Sequence, residues 1–146
     1  MSLSKQILSV VIVSFKSDKV IDNCIKSIPE SIDIVVVDNS NNKIFKDSLE
    51  KKYKNVKCVL SSENLGMGAG NNLGLKHINT DYVFILNPDL ILHNDAINQI
   101  IYELKKNDSF GIIAPLSDNL NYPNYKIFEQ GLEYTNESKL FSVKCI

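Results

Sequence analysis

Four short polar clusters each follow a run of aliphatic, mostly β-branched residues. Ser14-Phe15-Lys16 follows the run at 7–13, and Asp38-Asn39-Ser40 follows 34–37. The stretch Glu63-Asn64-Leu65-Gly66-Met67-Gly68-Ala69-Gly70-Asn71-Asn72 follows 56–60, and Asn87-Pro88-Asp89 follows 81–86. Asp89 stands directly after Pro88, whose ring fixes φ and helps aim a carboxylate away from the chain. A carboxylate so placed suits a hard divalent cation, magnesium or manganese, which prefers oxygen ligands, keeps several waters and bridges two phosphates. Gly66, Gly68 and Gly70 lack the Cβ that would keep backbone N–H groups from a phosphate at a helix start. Plainer readings stand beside these: Asp89 as a turn or capping residue, Asp38 as an Asx turn with Asn39 and Ser40, and the glycines as a turn before a helix. The glycine run is not the dinucleotide fingerprint, which follows the first strand directly.

The elements that must position these clusters alternate. The nearly all-apolar run at 7–13 reads as a strand buried on both faces, with 34–37 and 81–86 as further buried strands and strands also expected at 56–60 and 110–114. Between them, apolar residues recur at helical spacing. Val20, Ile21, Cys24, Ile25 and Ile28 form a first helix, capped by Ser17 or Asp18 and stopped by Pro29. Further helices are expected at 44–53, 70–78 and 95–105. Strands alternating with helices imply right-handed crossovers and an α/β fold: a mostly parallel sheet with helices on both faces. In such sheets ligands bind beyond the carboxyl ends of the strands, where all four polar clusters fall. After Leu116 the pattern weakens, with strand candidates at 125–128, 132–135 and 140–145. The whole chain, 1–146, reads as one domain with its core at 7–115 and a poorly patterned tail.

Composition excludes several classes. With 146 residues, 44% hydrophobic and a net charge of -1, the chain matches one globular domain and lacks the basic excess that nucleic acid requires. Every cation is Lys, and Asn and Ile abound, a bias typical of a low-GC bacterial coding sequence. Cys24, Cys58 and Cys145 are odd in number and widely spaced, which argues against a disulfide scaffold or zinc and for a reducing cytoplasm. No apolar run approaches the roughly 20 residues of a membrane span, and no leader pattern surrounds 7–13.

Together the clusters resemble the family 2 glycosyltransferases of the GT-A fold, in particular the rhamnosyltransferase-like members. The family's motifs stand here as Ser9-Val10-Val11-Ile12-Val13-Ser14-Phe15, Val36-Val37-Asp38-Asn39, Glu63-Asn64-Leu65-Gly66-Met67-Gly68-Ala69-Gly70-Asn71 and Leu86-Asn87-Pro88-Asp89, in order across residues 7–115. The resemblance implies inverting transfer of a sugar from a nucleotide diphosphate, dTDP-rhamnose or a UDP-sugar, to a glycan or lipid-linked acceptor. It places Ser14 and Phe15 near the base, Asp38 with Asn39 at the pyrimidine edge, and Asn64, Gly66 and Asn71 in the nucleotide pocket. Asn87 and Asp89 fall on the family's DxD position, with Asp89 holding magnesium or manganese against the diphosphate. It also implies polysaccharide biosynthesis at the cytoplasmic face of the inner membrane, with peripheral membrane contact.

The departure lies after Pro115. Family members supply there an acidic residue that deprotonates the acceptor hydroxyl, whereas Glu129, Glu133 and Glu137 are isolated. The acceptor-binding half is therefore expected to be missing, and the exposed apolar surface this leaves is expected to drive self-association. The competing expectation is a truncated or non-catalytic nucleotide-sugar-binding module. A phosphoacceptor receiver needs an acidic pair where Ser14, Phe15 and Lys16 stand, and a sugar nucleotidyltransferase needs its glycine-rich loop after the first strand. His77 and His93 read as structural or solvated, the lysines at 46, 51, 52, 54 and 57 as a solvated helix face, and Tyr122, Tyr125 and Phe128 as packing of the tail.

Overall fold

The aliphatic run at the start of the chain becomes β1 (Leu8–Ser14), and the expected alternation follows: α1 (Ile21–Lys26), β2 (Ile34–Asp38), α2 (Lys43–Lys52), β3 (Val56–Leu60), α3 (Gly66–Leu75), β4 (Tyr82–Leu86) and α4 (Ala96–Lys106). These come from a computed structural model, which describes residues 6–106, 110–115, 132–135 and 140–143. The chain divides into two compact units, Met1–Ile101 and Tyr102–Ile146.

In the first unit the strands form one parallel sheet in the order β3-β2-β1-β4. Ser14 pairs with Asp38 and Asp38 with Leu60, so β1, β2 and β3 end level, whereas Leu86 at the end of β4 pairs with Ile12. The direction of travel sorts the helices. The steps β1 to β2 and β2 to β3 run one way across the sheet, and β3 to β4 runs back. Right-handed crossovers therefore put α1 and α2 on one face and α3 on the other. Side chains confirm this sorting. Val11, Val35 and Val37 form a buried cluster with Val13, Val59, Leu73, Ile78 and Val83, the face that α3 covers. On the opposite face Val10, Ile12, Val36 and Cys58 are equally buried, and α1 and α2 contribute buried Ile21, Cys24, Ile25, Phe45 and Leu49. Asp22 of α1 joins the two helices there, accepting from Lys52 Nζ and Tyr53 Oη, each at 2.6 Å, and pairing with Lys26 Nζ at 2.8 Å.

Four expectations need correction. Neither Ser17 nor Asp18 caps α1: Val20 is the N-cap residue, with no side-chain cap bond, because Ser17 is used in a preceding turn and its hydroxyl donates to Phe15 O at 3.3 Å. Helix α3 starts at Gly66, not Gly70, so the glycine run makes the turn into the helix and its first turn. Strand β4 is not buried on both faces, and Ile85 is 48% exposed. Strand β5 (Ile112–Pro115) does not extend the parallel sheet. In the second unit it pairs antiparallel with β7 (Leu140–Val143), which also pairs antiparallel with β6 (Leu132–Thr135). The candidate at 125–128 lies outside the described residues. Among the described residues no helix is long and apolar enough to cross a membrane.

Candidate functional site

The carboxyl ends of β1 and β2 meet the start of α3, and side chains stitch them together. Asn39 N–H donates to Ser14 O at 2.8 Å, and Asn39 Nδ2 donates to Gly66 O at 3.1 Å. The glycines of α3 make this approach feasible in different ways. Gly66 has φ +70°, a left-handed conformation that admits glycine without strain, and its N–H donates to Asn64 Oδ1 at 3.0 Å. Gly70 sits so close to β1 that a Cβ there would lie 2.8 Å from Val13 Cγ1, and one at Gly74 would lie 2.7 Å from Val11 Cγ1. Gly68 is exposed, with nothing within 4 Å of a Cβ placed there. The run at 66–70 therefore serves a turn, an open surface and a packing contact in succession, and it holds the helix start, with its partial positive charge, at the sheet edge.

Asp38 is fully buried, and its carboxylate builds the loop after β2. Oδ1 accepts from Ser40 N–H at 3.1 Å and from Ser40 Oγ at 2.7 Å, and Oδ2 accepts from Asn42 N–H at 2.8 Å. The Asx-turn reading is thus realised, and one acceptor position remains on Oδ2. Ser61, after β3, joins the same edge by donating its N–H to Asp38 O at 3.1 Å.

Among the described residues, three buried side-chain polar atoms lack a hydrogen-bond partner: Ser14 Oγ, Asn39 Oδ1 and Asn71 Oδ1. All three belong to residues singled out by the motifs. A buried polar atom left unsatisfied costs about 1–3 kcal/mol, so such atoms cluster where a ligand or ordered water completes them. Phe15, next in the chain to Ser14, is half-exposed, with Lys16 Nζ 5.3 Å from its ring centre, and Lys16 has φ 54°, turning the chain sharply out of β1.

Asn87 and Asp89 are exposed at the end of β4, on the far side of β1 from Asp38. Their link to the core runs through α1: Cys24 Sγ donates to Asn87 O at 3.5 Å. Burial, with the Asp89 charge adding to it, pushes the Cys24 thiol up to about 11, so it stays protonated and available as a donor. Among the described residues there is no group of three or more His, Cys, Asp or Glu that could hold a metal. One exposed carboxylate fits magnesium or manganese, which bind through one or two carboxylates plus substrate phosphates, and does not fit a cage made of protein ligands alone.

Other candidates separate clearly. His93 is exposed, and His77 Nδ1 lies 3.1 Å from Lys57 Nζ. The lysine run is not uniformly solvated: Lys52 pairs with Asp22, and Lys46 binds Glu50 and the carbonyl of Cys58. Tyr122, Tyr125, Phe128, Glu129 and Glu137 lie outside the described residues, and Glu133 lies on β6. Sequence reasoning missed Ser27 and Cys24 as neighbours of the Asp89 loop. Helical spacing placed Cys24 on an inward face, but nothing local paired either residue with Asn87 or Leu92.

A family model described as glycosyl transferase family 2 matches residues 9–142. The chain belongs to that family. Its parallel sheet, flanking helices and polar carboxyl edge are the GT-A fold, and the family match begins at Ser9, inside β1. The chain is 30% identical over 112 residues to the low-salt glycan biosynthesis hexosyltransferase Agl10 of Haloferax volcanii, a match covering 74% of this chain and 36% of that protein. Among solved structures it resembles S. aureus TarS 1-349, with a TM-score of 0.68 at 18% identity over 94% of this chain and 47% of that one. It also resembles the mannosyltransferase PcManGT from Pyrobaculum calidifontis in complex with GDP-Man and Mn2+, with a TM-score of 0.63 at 17% identity over 77% of this chain and 35% of that one. The family 2 chain thus spans between about a third and a half of the length of the relatives it matches.

Proposed function

We propose that this chain is the donor-binding part of an inverting glycosyltransferase, which takes a sugar from a nucleoside diphosphate and passes it to a glycan or lipid-linked acceptor. The observation that carries this reading is that the three buried side-chain atoms left unsatisfied among the described residues, Ser14 Oγ, Asn39 Oδ1 and Asn71 Oδ1, all fall in family motif positions, at the ends of β1 and β2 and on α3. The hexosyltransferase relative and the solved complex of TarS with UDP-GlcNAc support a nucleotide-sugar donor.

In this reading the base lies over the ends of β1 and β2 against Phe15. Asn39 Oδ1 and the remaining acceptor position of Asp38 face its N–H edge, which favours a pyrimidine, as in a UDP-sugar or dTDP-rhamnose. Ser14, Asn64, Gly66 and Asn71 line the nucleotide pocket, and the open start of α3 offers N–H groups to phosphate. Asn87 and Asp89 serve the diphosphate, with Asp89 holding magnesium or manganese. Bound there, such an ion would supply charge neutralisation for the nucleoside diphosphate leaving group. The acceptor-activating base is assigned to no residue of the motifs and is expected beyond Pro115; work at the inner membrane face in polysaccharide assembly and self-association through exposed apolar surface are part of the same proposal.

Isothermal titration with UDP, dTDP and GDP, each with and without manganese, tests the assignment. A pyrimidine diphosphate should bind, manganese should tighten it, and Asp89→Ala should abolish that gain while Asn39→Ala weakens binding with or without metal. Absence of binding by all three nucleotides removes the donor site.

A further inference from the structure

Asp89 stands on a loop with little internal structure. Strand β4 ends at Leu86 and α4 begins at Ala96, and between them Leu90 is 47% and Ile91 69% exposed. Pro88 fixes one torsion, and one turn bond runs from Leu90 N–H to Asn87 O at 3.3 Å. A single exposed carboxylate on such a segment samples many positions, and fixing it on a cation costs conformational entropy.

Two side chains, from Cys24 of α1 and from its C-cap residue Ser27, reach across to this loop on either side of Asp89. Cys24 Sγ donates to Asn87 O at 3.5 Å, two residues before the carboxylate. Leu92 N–H donates to Ser27 Oγ at 3.0 Å, three residues after it. The Ser27 hydroxyl donates in turn to Cys24 O at 2.7 Å, which orients its lone pairs towards Leu92. Cys24 and Ser27 are three apart and share one helix face, and Cys24 is fully buried. Among the described residues these are the two hydrogen bonds that tie 87–92 to another element.

We infer that Ser27, with Cys24, is a positioning residue for Asp89: α1 clamps the loop at both ends and holds the carboxylate where a divalent cation and a diphosphate meet it. This rests on the proposal that Asp89 holds the donor's cation. Groups that orient a metal ligand commonly govern affinity as strongly as a weak ligand does.

The test is calorimetric titration of the full chain with UDP and dTDP, with and without manganese, on wild type, Ser27→Ala, Ser27→Thr and Cys24→Ala. Thermal midpoints are recorded for each, and Ser27→Ala is repeated in an Asp89→Ala background. Ser27→Ala should weaken manganese-supported binding about tenfold. Metal-free binding should move less than twofold, Ser27→Thr should restore the affinity, and the mutation should add nothing once Asp89 is gone. Should Ser27→Ala unfold, Cys24→Ala carries the same split. Equal loss with and without manganese, no loss at all, or a loss that persists in the Asp89→Ala background overturns the clamp. A wild type that binds neither nucleotide overturns the donor-site proposal and the clamp with it, whereas a wild type that binds with manganese beside an unaffected Ser27→Ala overturns the clamp alone.

Discussion

Gly74 and Gly68 occupy the same helix, and the fold gives them opposite fates on substitution by alanine. A Cβ at Gly74 would lie 2.7 Å from Val11 Cγ1 and 3.2 Å from Val37 Cγ2. Both valines are completely buried in central strands, and a β-branched side chain has one preferred rotamer and no easy retreat. Overpacking of that kind costs about 1–3 kcal/mol. Replacing helical glycine by alanine returns about 1 kcal/mol. With a contact this short, Gly74→Ala should destabilise by about 1–2 kcal/mol. Nothing lies within 4 Å of a Cβ at Gly68, so Gly68→Ala should stabilise by about 0.5–1 kcal/mol. The assay is urea unfolding followed by circular dichroism, with unchanged slopes confirming that only stability moved. The two midpoints should shift in opposite directions. If Gly74→Ala is as stable as Gly68→Ala, α3 does not lie against β1 and β2 at the distance described.

Two further outcomes follow from the ionic contacts. Hydrogen bonds from Lys26, then from Lys52 and Tyr53, hold the Asp22 carboxyl well below the usual carboxylate range. A carboxyl depressed in the folded state stabilises above its unfolded value near 4 and loses that contribution as pH falls through the folded value. Asp22→Asn should therefore cost about 1 kcal/mol or less at pH 7, and the difference from wild type should shrink as unfolding is measured at successively lower pH below about 4. A constant difference down to strongly acidic pH contradicts the assigned cause. At the sheet edge, Glu50 Oε1 accepts the outward Cys58 N–H at 2.8 Å while Lys46 donates to Cys58 O, so α2 covers the backbone groups at the middle of edge strand β3. Partial burial pushes the Glu50 carboxyl up, but Lys46 and the Cys58 N–H outweigh it and its carboxyl lies below the ordinary value. Glu50→Ala should destabilise by about 1–2 kcal/mol. It should also speed aggregation in light scattering, and an equally soluble variant of unchanged midpoint argues against this role.

The legible parts of the sequence were those whose cause is local. The runs that became β1 and β2 announced themselves by nearly continuous apolar composition, β3 by an apolar run interrupted by Lys57, and α2 and α4 by helical spacing. The start of α3 was hidden because glycine is a poor helix former. Its presence at 70 and 74 answers to Val11, Val13 and Val37, residues remote in the chain. The exposure of β4 was hidden for a similar reason, since Ile85 has the same residue type whether covered or not. Strand β5 looked like another parallel strand because alternation cannot reveal that its neighbour is β7. At the site, the motifs singled out every residue with an unsatisfied buried atom, yet not the division of labour by which Asp38 builds a loop and Asn39 keeps a free acceptor. Ser27 had no signal at all, because its importance lies in a contact 65 residues away.

The stagger of the sheet acts as a ruler. Ser14 lies level with Asp38, but β4 stops at Leu86, level with Ile12 and two residues short of that edge. The next residues of the chain must cover that shortfall, roughly 6–7 Å at about 3.3 Å per residue, before the carboxylate of Asp89 can stand at the rim. Adding or deleting one residue between Leu86 and Asp89 would displace the carboxylate by about 3.3 Å, more than the roughly 2 Å length of a magnesium–oxygen bond. On the proposed role of Asp89, this edge therefore tolerates exchange of side chains but not a change in length.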